Sequence, residues 1–295
     1  MSRLLSLFTS TPVVTDGAWG TEFQKRGGLA PGEAADLWNL SRPADVEAVA
    51  RAYVEAGSRV ILTNTFRANA VTLGAHHTAE ELARVNRRGA EISKAAAAGV
   101  ARVFASMGPT GKMLTTGEVD EDTVTAAFKA QAEALAAGGA DALLLETFSD
   151  VAEARLGIRA AKSTGLPVIV SFAFDTGKNK DRTMMGTTPE QAAQAAAEEG
   201  AAAVGANCGA GPESFAGVAR RFKQAAPGLL VWLKPNAGLP VVEGGKAVYV
   251  MTPDVYVTYL PGLIEAGASF VGGCCGTSPE FIRAVSRAIA SCASS

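Results

Sequence analysis

The stretch Ala137-Gly138-Gly139-Ala140-Asp141-Ala142-Leu143-Leu144-Leu145-Glu146-Thr147 carries the pattern that decides the fold. A helix-forming, Ala-rich segment stops at glycine, a short link follows, and an apolar run ends on a polar pair. Glycine just past a helix end takes the left-handed conformation without a Cβ clash. The phrase recurs on both sides. Upstream it reads Glu55-Ala56-Gly57 before Val60-Ile61-Leu62-Thr63, and Ala97-Ala98-Gly99 before Val103-Phe104-Ala105-Ser106. Downstream it reads Ser163-Thr164-Gly165 before Val168-Ile169-Val170-Ser171, Glu198-Glu199-Gly200 before Ala203-Val204-Gly205, and Glu265-Ala266-Gly267 before Phe270-Val271-Gly272. Pro189, Pro212, Pro253 and Pro279 each open an Ala- or Glu-rich segment, as a proline at the first helical position does.

The rhythm predicts strands over about 13–17, 59–66, 103–108, 142–148, 167–174, 203–208, 229–236 and 270–275, with helices in the gaps. Their mostly continuous apolar character suits parallel strands buried on both faces. Eight strands alternating with eight helices over 295 residues point to one α/β domain spanning 1–295, a (β/α)8 TIM barrel, which typically needs ~250 residues. An open doubly wound sheet is the architectural alternative. Residues 18–43, with Gly27-Gly28, Pro31-Gly32 and Pro43, form a long first βα loop expected to reach over the barrel mouth.

Bulk properties remove several function classes. A hydrophobic content of 48% with 19% charged residues is globular. With a net charge of −2 and no basic run longer than a pair such as Arg87-Arg88 or Arg220-Arg221, nucleic acid is not an expected partner. No stretch approaches the ~18–20 apolar residues of a membrane span, and the polar N-terminus does not read as a signal peptide, so a soluble, cytoplasmic protein is expected. Four cysteines are too few for a disulfide scaffold.

Active sites of such barrels lie at the C-terminal strand ends. Those ends read Asp16-Gly17, Asn64-Thr65, Gly108-Pro109-Thr110-Gly111, Glu146-Thr147, Phe174-Asp175, Asn207-Cys208-Gly209, Pro235-Asn236-Ala237-Gly238 and Gly272-Gly273-Cys274-Cys275-Gly276. Three of the four cysteines therefore share one rim, and the fourth, Cys292, lies near the C-terminus. Three thiolates suit Zn²⁺, and three protein ligands with an open fourth position is the catalytic arrangement. Adjacent residues on a regular strand point to opposite faces, so Cys274 and Cys275 share a metal only if Gly272, Gly273 and Gly276 break the alternation. Buried structural cysteines or a vicinal disulfide are the plainer readings. His76 and His77 read as a solvated loop. Gly108–Gly111 lacks the lysine and spacing of a phosphate loop, and Gly244-Gly245-Lys246 sits in a polar stretch after the seventh strand. Met184-Met185 reads as core.

Three of these stretches, Asp16-Gly17-Ala18-Trp19-Gly20-Thr21, Gly205-Ala206-Asn207-Cys208-Gly209 and Gly272-Gly273-Cys274-Cys275-Gly276-Thr277-Ser278-Pro279, resemble the homocysteine S-methyltransferase family. Asn64-Thr65-Phe66 and Pro235-Asn236-Ala237-Gly238 look most like the homocysteine module of cobalamin-dependent methionine synthase. Arg67 and Thr147 stand where betaine-dependent enzymes carry tyrosines. The resemblance implies a zinc-dependent enzyme that transfers a methyl group to homocysteine to form methionine, with Cys208, Cys274 and Cys275 as metal ligands. It implies that Asp16 and Glu146 bind the substrate ammonium and that Asn236 could take the fourth zinc position when substrate is absent. Backbone N–H groups of the Gly17–Thr21 turn, which includes Ala18, suit the substrate carboxylate. Asn207 is placed to orient its neighbouring ligand from behind.

The methyl donor stays open among a methylcorrinoid protein acting in trans, sulfonium compounds and betaine, with betaine the least expected. Rival functions are the same chemistry on another thiol or selenol acceptor, and a catalytically silent barrel that binds zinc or an amino acid. A metal-free aldolase would need a Schiff-base lysine at a strand end, and Lys234 is the single lysine within a strand.

Overall fold

The computed structural model describes residues 4–29, 33–243 and 246–293. Eight strands build one parallel sheet: β1 (Val13–Val14), β2 (Val60–Ile61), β3 (Arg102–Met107), β4 (Ala142–Phe148), β5 (Val168–Phe172), β6 (Ala203–Asn207), β7 (Leu230–Lys234) and, after a hairpin formed by β8 (Val241–Glu243) and β9 (Lys246–Val248), β10 (Phe270–Val271). The order β1-β10-β7-β6-β5-β4-β3-β2 wraps the sheet round until its first and last members face each other. That seam carries no ladder. Arg59 N–H donates to Val14 O at 2.8 Å, and one step further the Asp16 carboxylate stands in for a main-chain acceptor, taking Leu62 N–H on Oδ2 at 2.7 Å. The architecture is a nearly closed TIM barrel with helices between the strands.

β2 and β10 are shorter than the spans 59–66 and 270–275 expected from sequence. Past Ile61 the backbone turns to the Asp16 side chain, and past Val271 the glycine-rich segment leaves the ladder to make a turn in which Thr277 N–H donates to Cys274 O at 3.1 Å.

Within the strands a period of two divides interior from exterior. Phe104, Leu144, Ile169, Ala203, Trp232 and Phe270 fill the lower barrel, with Leu4 and Phe8 sealing it from below. Two residues further along the same inward rows stand Ser106, Glu146, Ser171, Gly205 and Lys234, so the packed apolar layer is topped by polar groups. Outward residues such as Val103, Leu143, Leu145, Val170 and Val204 pack against the helices. Gly205 lies where a Cβ would come within 2.4 Å of the Trp232 carbonyl oxygen. Gly205→Ala should therefore cost about 1–3 kcal/mol through overpacking, seen as a lower urea midpoint at unchanged slope. An unmoved midpoint would mean that β6 and β7 have room the structure does not show.

The first βα loop does cover the mouth, as ordered structure: helix Trp19–Lys25, a 3-10 turn Ala35–Leu37 and helix Trp38–Ser41. Pro31 and Gly32 lie outside the described residues. Trp38 is buried, packed on Phe23 with ring centroids 5.1 Å apart, and its indole N–H donates to Glu33 Oε1 at 2.6 Å. Met184 and Met185 correct the sequence reading: they are 71% and 39% exposed, because they occupy the middle of the turn closed by Gly186 N–H on Thr183 O. His76 is exposed, and His77 sits 3.8 Å from Glu81 at a helix start. Gly244 and Gly245 lie outside the described residues, as does the side chain of Cys292. Among the described residues no helix is long and apolar enough to cross a membrane.

Candidate metal and acceptor site

Loops after β6, β7 and β10 meet over the barrel and are laced together by their main chains. Cys208 N–H donates to Lys234 O at 3.1 Å, Cys274 N–H to Pro235 O at 2.8 Å, and Ala237 N–H to Cys275 O at 2.9 Å. Asn236 adds a side-chain link, its Oδ1 accepting from Cys275 N–H at 3.0 Å. Cys208 has φ +58°, a left-handed turn that swings its sulfur over the rim. Because the ladder ends at Val271, Cys274 and Cys275 are not bound to the strand alternation. Cys208, Cys274 and Cys275 are all free thiols, and their sulfurs lie within 4.8 Å of one another.

This spacing suits zinc. With Zn–S bonds of about 2.3 Å, a tetrahedral edge is about 3.8 Å, and Cys208 Sγ and Cys275 Sγ are 3.8 Å apart. The electrostatics point the same way. Hydrogen bonds from Cys274 and Cys275, then from Gly209 N–H and Asn236, pull the Cys208 thiol down to about 3. Interaction with that sulfur drives Cys275 up to about 11 and Cys274 well above the ordinary thiol range. One thiolate is thus stabilised, and its two neighbours are held as thiols. Tyr249, which sequence reasoning did not single out, interacts with Cys275 through a side-chain hydrogen bond, and its ring lies where a Cβ on Gly276 would fall 2.3 Å away.

Beside the sulfurs opens a cavity of about 380 Å³, lined by Gly17, Ala18, Trp19 and Thr21 from the first loop and by Ser106, Glu146, Thr147 and Lys234 from the barrel. Cavities of this size suit small ligands. Glu146 accepts a short hydrogen bond from Ser106 Oγ. Burial raises its carboxyl above the usual carboxylate range, against the pull of Lys234 and Ser106.

Asp16 is placed differently. It is fully buried under the cavity, ion-paired to Lys234 through Oδ1, while Oδ2 accepts from Trp19 Nε1 and from Leu62 N–H, both at 2.7 Å. Burial works against the Lys234 ammonium, but Asp16 and Glu146 outweigh it and hold it above its usual range. Sequence reasoning weighed Lys234 only as a Schiff-base candidate, yet its buried pairing with Asp16 sets the charge of the cavity floor. Of the turn donors, Ala18 N–H is engaged by Thr277 O at 2.9 Å, whereas the first turn of helix Trp19–Lys25 has no side-chain cap. Asn207 lies beneath the rim with its amide turned toward Thr147.

Fold and site together define a parallel barrel carrying a three-thiol centre next to a largely apolar cavity that holds Glu146 and Lys234. Comparison with known proteins gives that class a family. The family model for homocysteine S-methyltransferase matches residues 13–289. Methionine synthase of Mycobacterium leprae (strain TN) is 34% identical, over 98% of this chain and 25% of its own length. Methionine synthase of Mycobacterium tuberculosis (strain ATCC 25618 / H37Rv) is 33% identical, over 97% and 25%. The chain thus spans about a quarter of the length of these curated relatives. Among solved structures, the metallated form of the homocysteine methyltransferase MmuM from Escherichia coli shares the fold with a TM-score of 0.78 at 23% identity, covering 96% of this chain and 98% of that one. The chain belongs to the homocysteine S-methyltransferase family.

Proposed function

We propose that the protein is a zinc-dependent homocysteine S-methyltransferase that forms methionine. The observation that carries this reading is the convergence of Cys208, Cys274 and Cys275 within 4.8 Å of one another, with Cys208 and Cys275 at 3.8 Å, beside the cavity that holds Glu146. Cys208, Cys274 and Cys275 would hold the metal, and Asn236, one hydrogen bond from Cys275, is the candidate for its remaining position when the acceptor is absent. Bound there, zinc supplies the positive charge that keeps a thiol ionised at neutral pH, where a free thiol is mostly protonated.

The rest follows from the chain's own groups. Glu146 faces the cavity and receives the acceptor's ammonium, with Asp16 and Lys234 beneath it setting the local charge. The uncapped first turn of helix Trp19–Lys25 offers N–H groups to the carboxylate. The acceptor thiol releases its proton to solvent, and its sulfur forms the new S–CH₃ bond while the methyl–donor bond breaks, the electron pair of that bond leaving with the donor. With no histidine at the rim, no general base is assigned to the sulfur.

The donor reading rests on the mouth. A quaternary ammonium donor is best held by an aromatic cage. Here Trp38 is buried against Phe23, and Arg67 lines the opening beside Trp19 and Phe66, placing a positive charge among the rings that a cage would need. A methylcorrinoid protein or a sulfonium compound fits this mouth better than betaine. The test is a donor panel with saturating homocysteine and zinc-loaded protein, following methionine formation with betaine, S-methylmethionine or a methylated corrinoid protein each alone. Fastest turnover with betaine would overturn the donor reading, and no methionine from any donor would count against the acceptor reading.

A further inference from the structure

Asn207 stands immediately before Cys208, but its amide reaches sideways to the end of β4. Its Nδ2 donates to Thr147 Oγ1 at 2.7 Å, and its Oδ1 accepts from Thr147 N–H at 2.9 Å and from Ser171 Oγ at 2.6 Å. The side chain is fully buried. Thr147 needs this grip. Its φ of +66° is left-handed, and the β4–β5 register shifts between Leu145 and Phe148. A β-branched residue in that region is an outlier and persists only where its surroundings over-determine it. Glu146 keeps the inward direction of the row begun by Leu144, and the irregular backbone starts at the residue that follows it. On the other side of Asn207, Cys208 is also left-handed, with φ +58°. One buried amide therefore joins two unusual backbone positions, one beside the cavity carboxylate and the other bearing a thiol of the trio.

We propose that Asn207 is a positioning residue that couples metal loading at Cys208 to amino-acid binding at Glu146. The inference rests on the site reading given above. Fixing the Cys208 sulfur narrows the backbone at 207–208, and the amide passes that restraint to Thr147 and so to the aim of Glu146. When Cys208 is free to move, Glu146 is held less well. Coupling of this kind is reciprocal, so an occupied amino-acid site strengthens metal binding by the same factor.

The probe is L-norvaline, which has the ammonium and carboxylate of homocysteine but a methyl group in place of the thiol. Its binding is measured by calorimetry on the full chain, metal-free and zinc-loaded. The expected result is norvaline binding about tenfold tighter to the zinc-loaded protein, with zinc affinity against a competing chelator rising by a matching factor at saturating norvaline. In Asn207→Ala the difference should shrink to less than about twofold. Thr147→Val keeps the volume, removes only the Oγ1 acceptor, and should reduce the difference in the same direction. Equal norvaline affinity with and without zinc in the parent, or an undiminished difference in both variants, overturns the proposal. Zinc-loaded Glu146→Gln separates this failure from that of the site itself. If that variant binds norvaline as the parent does, the ammonium site is misassigned, whereas weakened binding there without zinc dependence in the parent defeats the coupling alone.

Discussion

Replacing Cys208, Cys274 or Cys275 by alanine should take methyl transfer to homocysteine down to background, with helix content nearly unchanged. Structurally, the thiols sit above a barrel whose apolar layer of Phe104, Leu144, Trp232 and Phe270 closes without them, so the fold does not depend on the metal. Chemically, two thiols leave too little negative charge and one tetrahedral corner too few. Changes to groups that merely orient ligands cost about 10–100-fold in affinity or activity, and loss of a ligand should exceed the upper end of that range. Cys292→Ala is the control and should match the parent. A trio variant that keeps more than about a tenth of parental turnover would place the reaction outside that second-layer range and away from the thiols.

Glu146→Gln should weaken homocysteine binding by about 2–5 kcal/mol, since it removes one partner of a buried charged hydrogen bond, which is roughly 30- to several-thousand-fold in affinity. Zinc content should not change. The sign with pH follows from the raised carboxyl of Glu146. Above that pKa the ionised group attracts the ammonium, and as pH falls through it the proton removes the attraction, so affinity is lost on the acid side. The glutamine variant should lack that limb. Direct titration of homocysteine against pH for both proteins checks the magnitude and the shape. Parental affinity in Glu146→Gln would remove this residue from the acceptor site.

Asp16→Asn is expected to behave differently, although sequence reasoning gave Asp16 and Glu146 the same role. Asp16 closes the β1–β2 seam through Leu62 and pairs with buried Lys234. Breaking a buried pair from one side is strongly destabilising, on the order of 3–5 kcal/mol. Its variant should therefore lower the melting temperature as well as acceptor affinity, whereas Glu146→Gln should spare stability. An Asp16→Asn protein of parental stability would free the carboxylate from its structural part.

The contrast shows what local sequence can carry. Glycine stops such as Gly57, Gly139 and Gly267 are readable because the left-handed residue after a helix is a local requirement, and they place six of the eight strands. Cys208, Cys274 and Cys275 are readable because strand ends share one rim. The Asp16–Lys234 pair is not readable in this way, since it joins residues far apart in sequence across a closed sheet. Part of it was nevertheless within reach. Phe104-x-Ser106, Leu144-x-Glu146, Ile169-x-Ser171 and Trp232-x-Lys234 share one alternation, which marks a polar layer above an apolar one, but reading the strands as continuous apolar runs hides it. The β8–β9 hairpin was also marked, by two short β-prone runs around Gly244-Gly245. Its reward is Tyr249, whose contact with Cys275 no spacing rule predicts.

Whether the three thiols hold zinc is answered by zinc-edge X-ray absorption of the purified protein, with metal content measured on the same sample. One zinc per chain with three sulfur neighbours at about 2.3 Å is expected, with a sharp loss of metal in Cys208→Ala and Cys275→Ala. A shell of nitrogen and oxygen alone, or full zinc occupancy in both variants, would contradict it.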